Sequence, residues 1–224
     1  MTTFCLIHGA WHDGACWDAV ARHLRERGHD VVAPDLPDHD PAAGYAERVR
    51  PALTALARSE APLVVVGHSL GSGYAPIVAE RLSASLLVHL CPRLGPFPAA
   101  PGAPPGPFRA GLRLPAPGPD GLSRWDPAAA LGAIYGRLDP PTAQALAARL
   151  RPLASPADEF PLAGHPDLPS ALVYASDDEL FEPEWERFMA REVIGVEPVE
   201  ISGGHFPMAE DPVGLADLLE RLAG

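Results

Sequence analysis

Apolar residues along this chain fall into two kinds of stretch. Short runs rich in Val, Ile and Leu recur at Thr3–His8, Asp30–Ala33, Leu63–Gly67, Leu86–Leu90, Ala171–Ala175 and Glu197–Ile201. Longer mixed stretches separate them, at Cys16–Arg27, Tyr45–Arg58, Ser72–Leu82, Pro183–Val193 and Pro212–Leu222. The runs read as strands buried on both faces and the longer stretches as helices. Their alternation predicts an α/β fold, a mostly parallel sheet of about six strands flanked by helices.

One region breaks the rhythm. Between Pro92 and Asp126 Pro and Gly crowd the sequence, and Gly95–Gly121 carries no period of its own. Two helical patches follow, Pro127–Tyr135 with Asp126 as its N-cap, and Thr142–Arg151 stopped by Pro152. The expected organisation is one domain over 1–224, with a core of 1–91 and 169–224 and an insertion over 92–168. A structureless stretch of this length is usually functional or disordered. The insertion is expected to lie as a lid over the carboxyl ends of the strands.

Composition narrows the partners. The 224 residues suit a single core, and a net charge of −12 argues against nucleic acid and anionic membranes. All 17 basic residues are Arg, so coding bias accounts for part of the Ala and Pro content. No apolar run approaches the roughly 20 residues of a membrane span. Three scattered cysteines, Cys5, Cys16 and Cys91, fit neither a disulfide framework nor a zinc site. With no leader-like N-terminus, the default expectation is a cytoplasmic protein acting on a small molecule. No cofactor and no metal are implied.

The chemistry is concentrated at Val64-Val65-Val66-Gly67-His68-Ser69-Leu70-Gly71. A strand running into Gly-x-Ser-x-Gly and then a helix is the context of a nucleophile elbow. Ser69 would stand on a strained turn, and the N–H of Leu70 would face a developing oxyanion. A serine needs a base and the base an orienting acid, in the chain order Ser, acid, His. His205, in Ser202-Gly203-Gly204-His205-Phe206-Pro207-Met208, follows the last strand and fits the base. Asp177, Asp178 and Glu179 all follow the preceding strand, and residue type alone does not choose among them. Ala10, after Gly9 at the end of the first strand, would supply the second oxyanion amide. His8 is expected to hydrogen-bond its loop, and Cys91 to line the pocket. Asp35, Asp38, His39 and Asp40 read as a solvated loop, His23 and His29 as solvated side chains, and His165 has no assigned role. Trp11, Tyr135, Phe206 and Met208 are candidate pocket walls.

These motifs carry a resemblance. Phe4-Cys5-Leu6-Ile7-His8-Gly9-Ala10-Trp11, Cys16-Trp17, Gly28–Leu36, the elbow, Ala148–Pro152, Asp178–Trp185 and Gly195–Met208 resemble the small α/β-hydrolases related to plant methyl-ester esterases and hydroxynitrile lyases. The resemblance covers roughly two-thirds of the chain. It implies Ser69 as nucleophile, His205 as base, Asp178 rather than Asp177 as acid, and an oxyanion hole at Ala10 and Leu70. The lyase branch resembles a pattern with Glu-Ser-Cys at the elbow and Lys after the histidine. Here His68-Ser69-Leu70 and His205-Phe206 stand instead, which favours cleavage of an ester, thioester or lactone. The rival readings are a non-hydrolytic enzyme of the same fold and a small-ligand binding protein.

Overall fold

The computed structural model describes residues 1–95, 97 and 101–224. Part of the Gly95–Gly121 expectation, at Pro96 and Pro98–Ala100, lies outside the described residues. Six strands, β1 (Thr3–Ile7), β2 (Asp30–Val32), β3 (Leu63–His68), β4 (Leu86–Leu90), β7 (Ser170–Ala175) and β8 (Val199–Ile201), form one sheet in the order β2-β1-β3-β4-β7-β8. Every pairing in it is parallel. The chain runs from β1 out to β2, then returns to the other side of β1 for β3 and onward. Strand order therefore reverses beside β1 and β3, and a crevice opens there at the strands' carboxyl ends.

Alternation along the strands sorts the core into two faces. Phe4, Leu6, Val64 and Val66 pack with Trp17, Val20, Leu24, Leu215 and Leu219, from α1 (Asp18–Glu26), the 3₁₀ turn before it (Gly14–Trp17) and α8 (Pro212–Ala223). Cys5, Ile7, Val65 and Leu87 point the other way, onto Val49, Ala52, Ile77 and Val78 of α2 (Tyr45–Leu56) and α3 (Gly71–Arg81). Leu172 and Tyr174 of β7 carry Met189 of α6 (Pro183–Met189) and Ala190 of the π-helical turn that extends it (Ala190–Ile194).

Several boundaries move for local reasons. The last strand begins at Val199, not Glu197, because Pro198 has no N–H to give a ladder. The turn after α6 ends at Gly195, whose φ of 81° suits glycine. Between β4 and β7 lie β5 (Leu122–Ser123), α4 (Pro127–Ala133), α5 (Pro140–Ala147) and β6 (Leu153–Ala154). Asp126 caps α4 through Ala129 N–H at 2.9 Å. Asp139 and Pro140 start α5 two residues before the expected Thr142. The antiparallel β5–β6 ribbon has no counterpart in the sequence reading. Ala130, Ile134, Tyr135, Ala143 and Ala147 join the cluster that holds Trp17 and Phe206. In its second half, then, this stretch packs as part of the main core.

The Asp-rich loop after β2 departs from expectation. Asp38 is 1% exposed rather than solvated. Its carbonyl accepts from Ala154 N–H at 2.8 Å, which draws the loop beneath β6. His29 is drawn in too, with Nε2 on Glu220 at 2.8 Å and Nδ1 accepting from Thr2 N–H.

No helix is long and apolar enough to cross a membrane among the described residues.

Candidate active site

The elbow follows from close approach. A Cβ on Gly67 would lie 2.7 Å from the Gly71 carbonyl and the Ser72 Cα, and one on Gly71 would lie 2.5 Å from the His8 carbonyl. Only glycine lets β3, α3 and the end of β1 meet so tightly. Ser69, between them, is held at φ 50°, a conformation that non-glycine residues rarely adopt. Its amide donates to Leu90 and its carbonyl accepts from Arg93 N–H, each at 3.0 Å. Bonds to the end of β4 and the chain just beyond it thus hold the strained residue in place.

The three acids after β7 separate cleanly. Asp177 is exposed, 3.6 Å from Arg137. Asp178 is 1% exposed. Its Oδ1 accepts from the N–H groups of Leu180 and Phe181 at 2.7 and 2.9 Å, and its Oδ2 lies 2.7 Å from His205 Nδ1. Glu179 turns back to accept from His205 N–H at 3.0 Å. Gly203, at φ 114°, makes the bend that returns the chain to Asp178. On its other side the His205 carbonyl accepts from His68 Nε2 at 2.7 Å. Burial, followed by the neighbouring His205, holds the His68 pKa well below its ordinary value, so the ring is a neutral structural donor.

Ser69 and His205 share the walls of one narrow cleft with Gly9, Ala10, Trp11, His12, His68, Ile134, Leu180 and Phe206. Among the described residues Ser69 Oγ makes no hydrogen bond to His205. Such bonds are often long without substrate. The Ala10 amide borders the cleft on a turn fixed by two contacts, His12 Nδ1 to Ala10 C=O at 2.6 Å and Arg151 N–H to Trp11 C=O at 2.8 Å. Trp11 sits there at φ 62°. Leu70 follows Ser69 and faces a second, larger chamber. Of the candidate pocket residues, Trp11 and Phe206 border the cleft. Tyr135 lies one layer behind, bonded to His12 Nε2 at 2.7 Å. Met208 is buried in the short helix α7 (Pro207–Glu210). His8 is occupied by its loop, bonding the Gly9 carbonyl through Nδ1 and accepting from Leu36 N–H through Nε2.

Three residues near the cleft escaped the sequence reading or were misjudged by it. His12 is buried between Ala10 and Tyr135, and burial pushes its pKa down to about 4. Cys91 is not a pocket wall. It is fully buried, at φ 43°, with its thiol within 4.8 Å of a carboxylate oxygen of Asp178, and burial pushes its pKa well up. Cys91, Asp178 and His205 offer ligand atoms within 4.8 Å of one another, but Asp178 and His205 are already bonded to each other. Glu186 is also fully buried, and neither of its carboxyl oxygens has a partner among the described residues. Burial and then the charge of Asp178 raise its pKa well above the usual carboxylate range, so it is a neutral acid. Its spacing of three and four residues from Met189 and Ala190 is the only sequence signal for it, and a glutamate at that spacing is also found solvated.

Comparison with known proteins agrees with this architecture. A pyrethroid hydrolase of Sphingobium wenxiniae is 40% identical over 88 residues, 36% of this chain and 31% of that protein. Methyl jasmonate esterase 1 of Vitis vinifera is 32% identical over 95 residues, 38% of this chain and 36% of the relative. The matched stretches thus span about a third of these curated relatives. A crystal structure of a pyrethroid hydrolase superposes with a TM-score of 0.79 at 25% identity, covering 100% of this chain and 97% of that one. The sequence pattern of the Alpha/beta hydrolase family matches residues 6–218, and the chain belongs to that family.

Proposed function

We propose that the chain hydrolyses a carboxylic ester, or a related thioester or lactone, of a small molecule through an acyl-enzyme on Ser69. His205 takes the Ser69 proton as the hydroxyl attacks, then gives it to the leaving alcohol. In the second half it activates water in the same way. Asp178 fixes the Nδ1–H tautomer of His205 and stabilises the imidazolium that forms. The amides of Ala10 and Leu70 stabilise the tetrahedral oxyanion. The observation that carries this reading is the buried 2.7 Å Asp178–His205 pair on one wall of the cleft that Ser69 enters from a strained turn. An uncompensated carboxylate at that depth would be costly, and a carboxylate–imidazole pair whose histidine shares a cleft with a serine has an evident chemical use. The hydrolase and esterase names of the relatives point the same way.

The test is turnover of p-nitrophenyl acetate by the wild-type chain and by Ser69→Ala, together with mass spectrometry after a fluorophosphonate probe. Ser69→Ala should lower kcat by on the order of 10⁴-fold or more, since nucleophile and base act as a unit. The probe should add to Ser69 alone. A variant that keeps a tenth of the activity, or a probe adduct elsewhere, overturns the assignment. Labelled Ser69 without ester turnover would favour a non-hydrolytic enzyme, and neither label nor turnover a binding protein.

A further inference from the structure

The cleft at Ser69 has about 10 Å³ open to the centre of a water molecule, room for roughly one water. An ester must extend into other space. A chamber of about 390 Å³ lies on the far side of Leu70, bordered also by Tyr45, Gly73, Tyr74, Arg93, Ser123 and Ser155. That is within the size range of small-molecule sites. It adjoins the cleft through three residues. Leu70 follows Ser69, Arg93 N–H holds the Ser69 carbonyl at 3.0 Å, and Ser123 accepts from Trp11 Nε1 at 3.0 Å.

The polarity of this chamber has one sign. Arg93 is the only charged side chain on its wall among the described residues, and no carboxylate borders it. The Arg93 side chain is exposed and has no ion pair or hydrogen-bond partner among the described residues. Burial raises the pKa of the half-buried Tyr45 phenol, Arg48 opposes the rise, Asp158 adds to it from outside the chamber wall, where it accepts from Tyr45 N–H at 2.8 Å, and Arg93 opposes it. Arg48 is fully buried behind the wall and donates to the carbonyls of Ala154 and Ser155 at 3.1 and 2.9 Å. Those carbonyls, the acceptors of that wall, are therefore already engaged. Arg48 also donates to Tyr74 Oη at 2.9 Å, so the Tyr74 hydroxyl accepts there and keeps its own proton to give. One cation and one polarised donor face a space without an anion.

We propose, resting on the ester-hydrolase reading above, that this chamber receives a carboxylate and that the preferred substrate is an ester bearing a second, ionised carboxyl group. The Ser69 cleft, walled by Trp11, Ile134, Leu180 and Phe206, takes the scissile carbonyl alone, and the chain that bears the carboxylate runs into the chamber. The carboxylate engages the Arg93 guanidinium, a planar fork suited to bidentate pairing.

Two matched pairs of esters test this and locate the carboxylate. Methyl hexanoate and monomethyl adipate differ by a carboxylate at the far end of the acyl part. Butyl acetate and 4-acetoxybutanoate differ by one on the alcohol part. The readout is the charged-to-neutral ratio of kcat/KM within each pair, for the wild type and for Arg93→Met. In at least one pair the wild type should favour the charged member tenfold or more, mainly through KM, and Arg93→Met should bring that ratio close to one. A ratio near one in both pairs of the wild type overturns the proposal. So does an unchanged ratio in Arg93→Met, because Arg93 would then be a solvated surface cation. Calorimetric binding of free adipate gives a readout independent of turnover. If no ester is cleaved, the hydrolase reading has failed. Adipate binding that weakens tenfold or more in Arg93→Met would still establish the anion chamber, and no binding by the wild type would remove it.

Discussion

Asp177, Asp178 and Glu179 are consecutive in sequence and share one chemistry, yet only Asp178 is enclosed with a partner on each oxygen. Two backbone N–H groups hold Oδ1 and the His205 ring meets Oδ2. The residue types could not choose among the three, because an acidic run before a helix also arises from helix-end electrostatics. The resemblance chose Asp178, and burial and hydrogen bonding single out the same residue. Asp178→Asn should lower kcat for p-nitrophenyl acetate by about 10³- to 10⁴-fold, since an amide no longer fixes the imidazole tautomer. Asp177→Asn loses only an exposed 3.6 Å contact with Arg137 and should stay within about twofold. The reverse ranking in steady-state kinetics would mean that Asp178 is a structural cap of the turn into α6. Glu186 marks the limit of legibility at this scale. Nothing in Pro183–Met189 distinguishes a glutamate that solvates a helix from one sealed beside Asp178.

At the scale of elements, the six strands and five of the helices were readable because each has one period throughout. The stretch between β4 and α4 was not, since Pro and Gly carry no period and its contacts are single bonds to distant elements. The expectation was a lid over the carboxyl ends of the strands. Within that stretch, Pro107–Arg109 straps the turn that carries Asp178. Arg109 N–H donates to the Leu180 carbonyl, Glu182 N–H donates to the Pro107 carbonyl, and Arg109 Nε donates to the Asp178 carbonyl at 2.9 Å. The Phe108 and Phe181 rings stack 5.4 Å apart. The Arg109–Glu182 pair is over a third exposed, so screening leaves it little weight. The consequence of losing Arg109 is positional. Arg109→Ala should lower kcat about 3- to 30-fold with KM little changed, the range expected for one hydrogen bond to a buried carbonyl. Circular dichroism should remain that of the wild type, and Arg109→Lys should recover part of the loss. Wild-type kcat in Arg109→Ala would show that the Asp178 turn stands without the strap.

For the molecule as a whole, the sheet was legible from continuous apolar runs, and the loops that carry Ser69, Asp178 and His205 from their places at strand ends. The fate of the Asp-rich loop after β2 was not, because it depends on contacts with β6 more than a hundred residues away. Asp38 is the result. Its carboxyl is buried without a hydrogen-bond partner among the described residues, and burial raises its pKa from 3.8 to about 7, with Arg151 and Arg48 opposing the rise. In the unfolded chain the same carboxyl loses its proton near pH 4. Between about pH 4 and 7 the folded state therefore binds a proton that the unfolded state has released, and stability falls as pH rises through that window. The contribution is intact below pH 4 and gone above pH 7. Its full size is on the order of 4 kcal/mol, three pKa units at about 1.4 kcal/mol each. Asp38→Asn keeps the shape and removes the ionisation. Buried histidines such as His12 and His68 titrate in both proteins, so the difference between the two isolates Asp38. Urea denaturation at pH 4 and pH 8 should show that difference moving by a few kcal/mol in favour of Asp38→Asn at the higher pH. A difference that stays level across the window would mean that Arg151 and Arg48 fully compensate the buried charge, and that the loop is held as an ion pair in all but contact.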